Sequence, residues 1–294
     1  MILVDMSQIS LASMMMHLNM NKTTKPDESM VRHMILNSLR MYRSKFKQEF
    51  GELVLCFDSR HYWRRDHFPN YKAGRKKSRE SSNLDWDAIF GCLNDIKQEL
   101  KDVFPYKFVE VYGAEADDVI AALCLELEYD NGKTLILSGD KDFIQLHRFS
   151  NVSQYSPITK KMINGHDPYK YLDEHILKGD TSDGVPNVLS PDNTFVDGIR
   201  QKPLSKKKIA EWTGEILVPV EMAIPDGEIK RNFQRNQQLI DLSKTPKEIF
   251  LACLKEYQDA PEGDRSKLLN YFTKKRLKNL TESIGEFLHG LTNI

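Results

Sequence analysis

The sequence predicts an α/β domain built on a mostly parallel sheet and followed by a helical region. Short apolar runs rich in β-branched or aromatic residues alternate with longer segments of helical periodicity, an order typical of strands joined by crossover helices. The alternation ends near residue 185, and proline recurs in the next segment at Pro186, Pro191 and Pro203. We therefore expect an α/β domain over residues 1–185 and a helical region over residues 186–294.

Four strands and six helices are predicted in chain order. The strands cover residues 2–4, 53–57, 108–111 and 134–137, and their apolar character is typical of strands buried in a parallel sheet. The helices cover residues 28–50, 86–103, 118–129, 206–212, 228–240 and 246–257. In the first of these, Met30, Met34, Ile35, Leu39 and Tyr42 are spaced to lie on one helical face.

The composition excludes several classes of protein. Lys plus Arg equals Asp plus Glu at 42 each, so only the distribution of charge can indicate a polyanionic partner. The four cysteines lie far apart without a C-x-x-C pair, which disfavours a disulfide framework and a thiolate zinc site. No run of about 18 apolar residues occurs, so we expect no membrane span. A reduced, cytoplasmic setting fits these features.

Acidic residues recur where the predicted strands and helices meet. In the stretch LILSGDKDFIQL, two aspartates follow the apolar run of residues 134–137. The carboxyl ends of parallel strands form one edge of a sheet, where ligands bind. Nine acids from five segments are therefore expected at one edge: Asp5, Asp58, Glu115, Asp117, Asp118, Asp140, Asp142, Asp180 and Asp183.

Each acid alone has a simple structural explanation, because acids cap helices and occupy turns. Together, nine carboxylates would repel one another strongly unless cations lay between them. Oxygen ligands without His or Cys favour Mg²⁺ or Mn²⁺. The sequence therefore predicts two ions about 4 Å apart, a pair suited to phosphodiester hydrolysis with water as the nucleophile.

Two basic segments predict a nucleic-acid partner. Residues 60–80 hold eight Arg or Lys against two acids, interleaved with Tyr62, Trp63, Phe68 and Tyr71. Cations with aromatic rings suit a single strand, whose bases stack while its phosphates are neutralised. A second set is suited to the phosphates of a duplex and comprises Arg200, Lys202, Lys206, Lys207 and Lys208. The basic cluster at 274–278 is interpreted as solvated surface.

Six ordered motifs resemble the 5′-nuclease or flap endonuclease superfamily. They are LVD at Asp5, CFDS at Asp58, YWRRDHFPNYKAGR, YGAEADD, SGDKDF and LKGDTSDGVP. The resemblance implies a PIN-like nuclease domain followed by a helical region with a helix–three-turn–helix element. It also implies a metal-dependent 5′-3′ exonuclease and flap endonuclease that removes RNA primers and 5′ flaps during lagging-strand replication.

The resemblance also implies a role for individual residues. Asp5, Asp58, Glu115 and Asp117 would surround the first Mg²⁺, and Asp140, Asp142, Asp180 and Asp183 the second, with Asp118 shared or in an outer shell. In NYKAGR, Lys72 and Arg75 would stabilise charge on the scissile phosphate, and Tyr71 would stack on a base. Arg64, Arg65, Lys76 and Lys77 would complete the nucleic-acid surface. No catalytic histidine is inferred.

The implied substrates are flapped, nicked or forked DNA and RNA–DNA duplex, bound by a monomer without a membrane. The single-stranded-DNA-binding protein and sliding clamp of a phage are implied partners, and the host bacterial cytoplasm is the implied location. Only Gly198 stands where many members have a glycine-rich K⁺-binding hairpin, so the sequence does not support a K⁺ site. Two alternatives stay open, a PIN-type ribonuclease and a catalytically inactive nucleic-acid-binding protein.

Overall fold

A six-stranded sheet forms the centre of the computed structural model, which describes residues 1–126, 132–214, 218–261 and 266–288. Its strands are β1 (Ile2–Asp5), β2 (Leu53–Cys56), β3 (Lys107–Val109), β4 (Thr134–Leu137), β5 (Val152–Ser156) and β6 (Lys161–Ile163). They lie in the order β3-β2-β1-β4-β5-β6, and all neighbours are parallel except β5 and β6. The strand order reverses between β1 and β4, which makes their carboxyl ends the switch point where ligands bind in such sheets.

Helices surround the sheet, joined by turns, loops and short 3₁₀ helices. They are α1 (Met6–Asn21), α2 (Glu28–Phe50), α3 (Trp63–His67), α4 (Gly74–Glu80), α5 (Trp86–Val103), α6 (Ala116–Glu126), α7 (Pro168–Lys178), α8 (Lys206–Thr213), α9 (Val220–Ala223), α10 (Glu228–Ile240), α11 (Lys247–Asp259), α12 (Ser266–Lys274) and α13 (Lys278–Glu282). The mostly parallel α/β architecture and the helical C-terminal region are as predicted. Turns at residues 179–205 separate α7 from α8.

The four predicted strands exist, and α2, α5 and α10 have the predicted bounds. Seven of the described helices (α1, α3, α4, α7, α9, α12 and α13) and two strands (β5 and β6) were missed. Helix α1 begins directly at the end of β1, where Asp5 caps it by accepting a hydrogen bond from Gln8 N, so no loop marks the change. Strand β5 carries Gln154 and two serines, so it lacks an apolar run. The predicted helix end at Tyr129 lies outside the described residues.

The two faces of the sheet bury separate cores. Ile2 and Val4 point to one face, with α1, α2, α5, α12 and α13 packed on it. Leu3, Val54 and Ile136 point to the other face, which α6 and α11 cover. This alternation follows from the period of two along a strand, and burial on both faces explains why the strands read as continuous apolar runs.

The chain returns to the sheet after a separate helical cluster. Residues of α7, α8 and α10 form a third core with Phe68 and Tyr71, whereas α11 packs on α6. Phe272 of α12 and Phe287 contact Phe104, which follows α5, and both are fully buried. The last helices therefore belong to the core of the sheet, and a boundary at residue 185 stays a prediction. None of the described helices is long and apolar enough to cross a membrane.

This packing predicts that the last helices stabilise the whole α/β core. Phe272→Ala should lower the free energy of unfolding by about 3–5 kcal/mol, because a buried aromatic ring would be lost and a cavity left. Leu269→Ala is the matched control, since Leu269 lies on the same helix and is 53% exposed. Urea unfolding followed by circular dichroism measures both changes. A separate early transition for the last helices, with the main transition unmoved, would contradict the prediction.

Candidate metal centre at the carboxyl edge of the sheet

The predicted acids gather at the switch point of the sheet. Asp5 is the last residue of β1, Asp58 follows β2 by two residues, and Asp140 follows β4. Their charges lie close enough to perturb one another, since both Asp58 and Asp140 act to raise the pKa of Asp5. Burial is the largest cause, and together these effects raise the pKa of Asp5 to about 6.

Hydrogen bonds fix the first two carboxylates. Asp5 Oδ1 accepts from Gln8 N at 3.0 Å, and Oδ2 accepts from Ser138 Oγ at 2.8 Å. Asp58 accepts from Ser7 Oγ at 2.6 Å and from Ala116 N at 2.7 Å. These donors belong to α1, α6 and the turn after β4, so three segments orient the two acids at the strand ends.

Glu115 and Asp117 lie at the start of α6. Glu115 accepts a hydrogen bond from Arg64 Nη1 at 2.9 Å, and Tyr71 Oη lies 3.1 Å from Glu115 Oε2. Burial is the largest cause that raises the pKa of Asp117 well above its ordinary value, and the charges of Asp140 and Glu115 add to it. The like charges predicted from the sequence therefore do crowd together here.

Asp118 has a different role from the one predicted. Its carboxylate accepts from both terminal nitrogens of Arg64 at 2.8 and 2.9 Å and from Thr245 Oγ1 at 2.7 Å. Burial would raise the pKa of Asp118, but Arg64 outweighs it and lowers the pKa. The expected shared or outer place at the metal gives way to a buried ion pair. Arg64 itself is 2% exposed, so the prediction that it binds nucleic acid is wrong.

Lys72 and Arg75, in the segment NYKAGR, lie over the carboxylates. Lys72 Nζ pairs with Glu115 and lies 3.4 Å from Asp183 Oδ2, and Arg75 Nη2 donates to Asp183 Oδ1 at 2.7 Å. Lys72 adopts a φ of 56°, which few residues other than glycine adopt, and its N–H donates to Asp183 O at 2.7 Å. This strained backbone places the ammonium group within the cluster.

Tyr71 departs from its predicted role as a base-stacking ring. The residue is 3% exposed and packs in the third core with Phe68. Its hydroxyl donates its one proton to Asp183 Oδ2 at 2.7 Å and lies 3.1 Å from Glu115 Oε2. The prediction that Tyr71 stacks on a base is therefore wrong, because the ring is buried and its hydroxyl holds two of the acids.

The remaining acids form a second group beside α7. Burial, and then the charge of Asp140, raises the pKa of Asp142 to about 8. Asp180 accepts from Ser182 N and Ser182 Oγ, both at 2.7 Å. Burial would raise the pKa of Asp180, but the neighbouring His175 and the hydrogen bonds from Ser182 hold it below its usual range.

His175 lies in this group and was missed in the sequence. One ring nitrogen lies 3.4 Å from Asp142 Oδ1 and the other 3.6 Å from Asp180 Oδ2, so the three side chains could hold one metal ion. Helix α7 was not predicted, and this concealed the residue. Two features of the sequence could have indicated it. His175 lies five residues before Asp180 in EHILKGD, and Pro168 is a residue type that often begins a helix, so a helix starting there would include His175.

Gly179 makes the turn that places Asp180 beside α7. Its φ is +68°, and a Cβ there would lie 2.4 Å from Val185 O and 2.6 Å from Pro186 O. Both the conformation and the backbone contact require glycine. In the KGD motif, therefore, Lys178 ends α7, Gly179 makes the turn and Asp180 is the site residue.

A cavity of about 870 Å³ opens beside the carboxylates. Its lining is largely basic and apolar, with Asp58 as its one acid beside Lys72, Arg75, Arg79, Trp86 and Phe90. The other predicted nucleic-acid residues lie on the surface. Arg65, Lys76, Lys77, Arg200, Lys202, Lys206 and Lys207 are exposed, and Lys208 is half-buried over the ring of Trp212.

Comparison with known proteins agrees with this arrangement. Residues 1–174 match the family described as 5′-3′ exonuclease, N-terminal resolvase-like domain, and residues 170–287 match the family described as T4 RNase H, C terminal. The Ribonuclease H of Enterobacteria phage T4 is 36% identical over 293 residues, 97% of this chain and 95% of that protein. Flap endonuclease Xni of Shewanella sp. (strain ANA-3) is 31% identical over 135 residues, 43% of this chain and 48% of that protein.

Solved structures share the fold at low sequence identity. The bacteriophage T5 D15 flap endonuclease, in a pseudo-enzyme-product complex with DNA and metal ions, has a TM-score of 0.57 at 18% identity and covers 97% of this chain and 98% of its own. The T5 5′-exonuclease with bound zinc has a TM-score of 0.59 at 15% identity and covers 88% and 98%. With both of its domains matched and a relative aligned along nearly its whole length, the chain belongs to the 5′-3′ exonuclease family, with the C-terminal domain of T4 RNase H.

Proposed function

We propose that the protein is a divalent-metal-dependent 5′-3′ exonuclease and flap endonuclease that hydrolyses phosphodiesters and leaves 5′-phosphate and 3′-hydroxyl ends. The observation that carries this proposal is the meeting of eight carboxylates with Lys72 and Arg75 at the switch point of the sheet. Full-length similarity to a phage ribonuclease H supports an action on RNA–DNA or DNA–DNA duplexes. Removal of RNA primers and 5′ flaps in lagging-strand replication would follow from that activity.

The side chains fit two hard divalent ions. Asp5, Asp58, Glu115 and Asp117 would hold the first, and Asp140, Asp142, Asp180 and Asp183 the second. The raised pKa values of Asp117 and Asp142 reflect burial first and then crowded negative charge, which bound cations would offset. Mg²⁺ is the proposed ion, because nearly all of the donors are carboxylate oxygens. When bound, the pair would supply a hydroxide nucleophile and neutralise charge on the phosphate.

Lys72 and Arg75 would bind the scissile phosphate. Both already lie at Asp183, which forms part of the proposed second ion site, so a phosphate there would lie within their reach. The Lys72 side chain is 91% buried, and the backbone N–H of Lys72 donates to Asp183 O. The Arg75 side chain is half-exposed and can follow the substrate. Their fixed positive charges would stabilise the charge that develops during hydrolysis.

The substrate would contact two separate basic surfaces. A single strand would enter the cavity between the carboxylates and the segment of α4, where Arg79, Trp86 and Phe90 offer charge and stacking. The duplex would bind at α8, where Lys206, Lys207 and Lys208 occupy the first turn. The helix macrodipole disfavours cations at a helix N-terminus, so bound phosphates would offset the unfavourable interaction of these lysines with the macrodipole.

Contacts with a sliding clamp or single-strand-binding protein, and a cytoplasmic location, stay predictions.

The first test of this function is cleavage of 5′-flapped DNA with Mg²⁺. We expect cleavage to stop in excess EDTA, and labelled products to carry a 3′-hydroxyl on the released fragment. Asp142→Asn should abolish turnover yet keep flap binding within about tenfold, because phosphate contacts dominate affinity. Cleavage in EDTA, or preferred cleavage of single-stranded RNA that leaves 3′-phosphate ends, would refute the proposal.

The pKa values predict how metals and pH act on stability. In the folded protein the pKa of Asp5 is raised to about 6 and that of Asp142 to about 8, whereas the ordinary pKa of an aspartate is 3.8. Both carboxyls therefore keep their protons to a higher pH in the folded protein. The stability that these two groups contribute is therefore greatest below pH 3.8 and is lost as the pH rises through about 6 and about 8. In EDTA, Tm should fall by at least about 4 °C between about pH 6 and about pH 8.5.

Divalent ions should reverse this trend, because they bind the deprotonated carboxylates. The rise in Tm on adding Mg²⁺ should be larger at about pH 8.5 than at about pH 6. Asp142→Asn is the control, since it removes one titrating group and should flatten both dependences. Scanning calorimetry across the pH series measures them, and a Tm that rises with pH in EDTA would contradict the charge crowding.

Substitutions in the two basic surfaces should change different quantities, the rate of cleavage for one and duplex binding for the other. Arg75→Ala should lower the single-turnover rate at saturating enzyme by roughly 10- to 1000-fold, the cost of losing one preorganised charge donor. The triple change of Lys206, Lys207 and Lys208 to Ala should leave that rate nearly unchanged. It should weaken duplex binding and flatten its salt dependence by roughly two to three units of log slope. If the two variants exchanged these effects, or if the triple variant bound like the parent, the assignment would be wrong.

A further inference from the structure

His175 is a nitrogen donor inside an otherwise carboxylate site. It lies in the last turns of α7, and its ring faces Asp142 on one side and Asp180 on the other. Ligand atoms of these three residues all lie within 4.8 Å of one another. The proposed nuclease chemistry assigns the two aspartates to an ion but gives the histidine no role.

The ring is held in place, but one of its two nitrogens is buried without a hydrogen-bond partner in the described chain. Nδ1 is buried and makes no hydrogen bond within the described parts of the chain, and Nε2 lies 3.6 Å from Asp180 Oδ2, beyond ordinary hydrogen-bond distance. Buried nitrogens without a partner are uncommon and call for an explanation, such as an ion. Tyr171, one turn earlier, packs edge-on against the ring with a 5.8 Å centroid separation and fixes its position.

The distances suit neighbouring ligands of one ion. Two donors each about 2.1 Å from a metal, at angles of about 90° to 110°, lie about 3.0–3.4 Å apart. His175 Nδ1 lies 3.4 Å from Asp142 Oδ1, and one ligand atom from each of His175, Asp142 and Asp180 lies within 4.8 Å of the others. A small inward movement of three side chains, without movement of the backbone, would complete the site.

We propose that His175 is a direct ligand, through one imidazole nitrogen, of the ion bound by Asp142 and Asp180. This inference rests on the proposed function, which puts an ion at these aspartates. Imidazole is a better ligand for Mn²⁺, Co²⁺ or Zn²⁺ than for Mg²⁺, which prefers oxygen. The second site of this chain would therefore favour Mn²⁺ over Mg²⁺ more than an all-oxygen site does.

A competing role has the opposite consequence for metal affinity. As a protonated counter-ion, His175 would repel a metal ion, and its removal would strengthen metal binding. As a ligand, its removal weakens binding. His175→Gln should therefore raise the Kd for Mn²⁺ at the weaker of the two sites by at least about tenfold, a loss typical of disturbed metal sites, and should change the Kd for Mg²⁺ by less.

The decisive measurement is pulsed EPR of the Mn²⁺-loaded protein without DNA. Wild-type protein should show ¹⁴N coupling from a directly bound imidazole, and ¹⁵N-histidine labelling should replace it with a ¹⁵N pattern. The coupling should vanish in His175→Gln and persist in His166→Gln, which changes an exposed histidine just before the same helix. The labelled wild-type protein tests imidazole ligation even if a variant misfolds.

The outcomes separate this inference from the proposed function. Mn²⁺-dependent flap cleavage without histidine coupling, or tighter Mn²⁺ binding by His175→Gln, would overturn the ligand assignment alone. Failure of the wild-type protein both to bind Mn²⁺ and to cleave flaps would overturn the proposed function and the ligand assignment together. Coupling that depends on His175, with weaker Mn²⁺ binding in the variant, would establish the ligand.

Discussion

Repulsion among carboxylates at one edge of the sheet is the constraint on which the rest of the site depends. Parallel strands end at the same edge, so acids that follow β1, β2 and β4 meet whatever their separation in sequence. Part of that charge is offset inside the protein, where Arg64 lies between Glu115 and Asp118 and Lys72 lies between Glu115 and Asp183. The remaining excess is what makes bound cations necessary.

This constraint explains why the basic segment of residues 60–80 has two roles. Its first half supports the acids from within, since Arg64 is buried and the Tyr71 hydroxyl contacts two carboxylates. Its second half, from Arg75 onward, is exposed along α4 and lines the cavity. A run of cations and aromatic rings that looks uniform in sequence is therefore divided into a buried part that supports the acids and an exposed part that lines the cavity.

The helical region is joined to the site by specific contacts rather than by a linker alone. Arg64 Nε donates to Leu239 O at the end of α10, and Thr245 Oγ1 donates to Asp118. The third core joins α10 to Phe68 and Tyr71. A duplex held at α8 would therefore be positioned through packed helices relative to the acids, which is what cleavage at a defined phosphate requires.

The sequence by itself determined four of the six strands, the acids at or after their ends and the nuclease family, because apolar content and motifs can be read from short segments of the chain. It also placed Lys72 and Arg75 near the acids. Tertiary structure alone decided which charges are partners: Arg64 with Asp118, Tyr71 with Asp183, and His175 between Asp142 and Asp180. Such pairings join distant segments and depend on the burial of charged and polar side chains, which residue type and spacing along the chain do not predict.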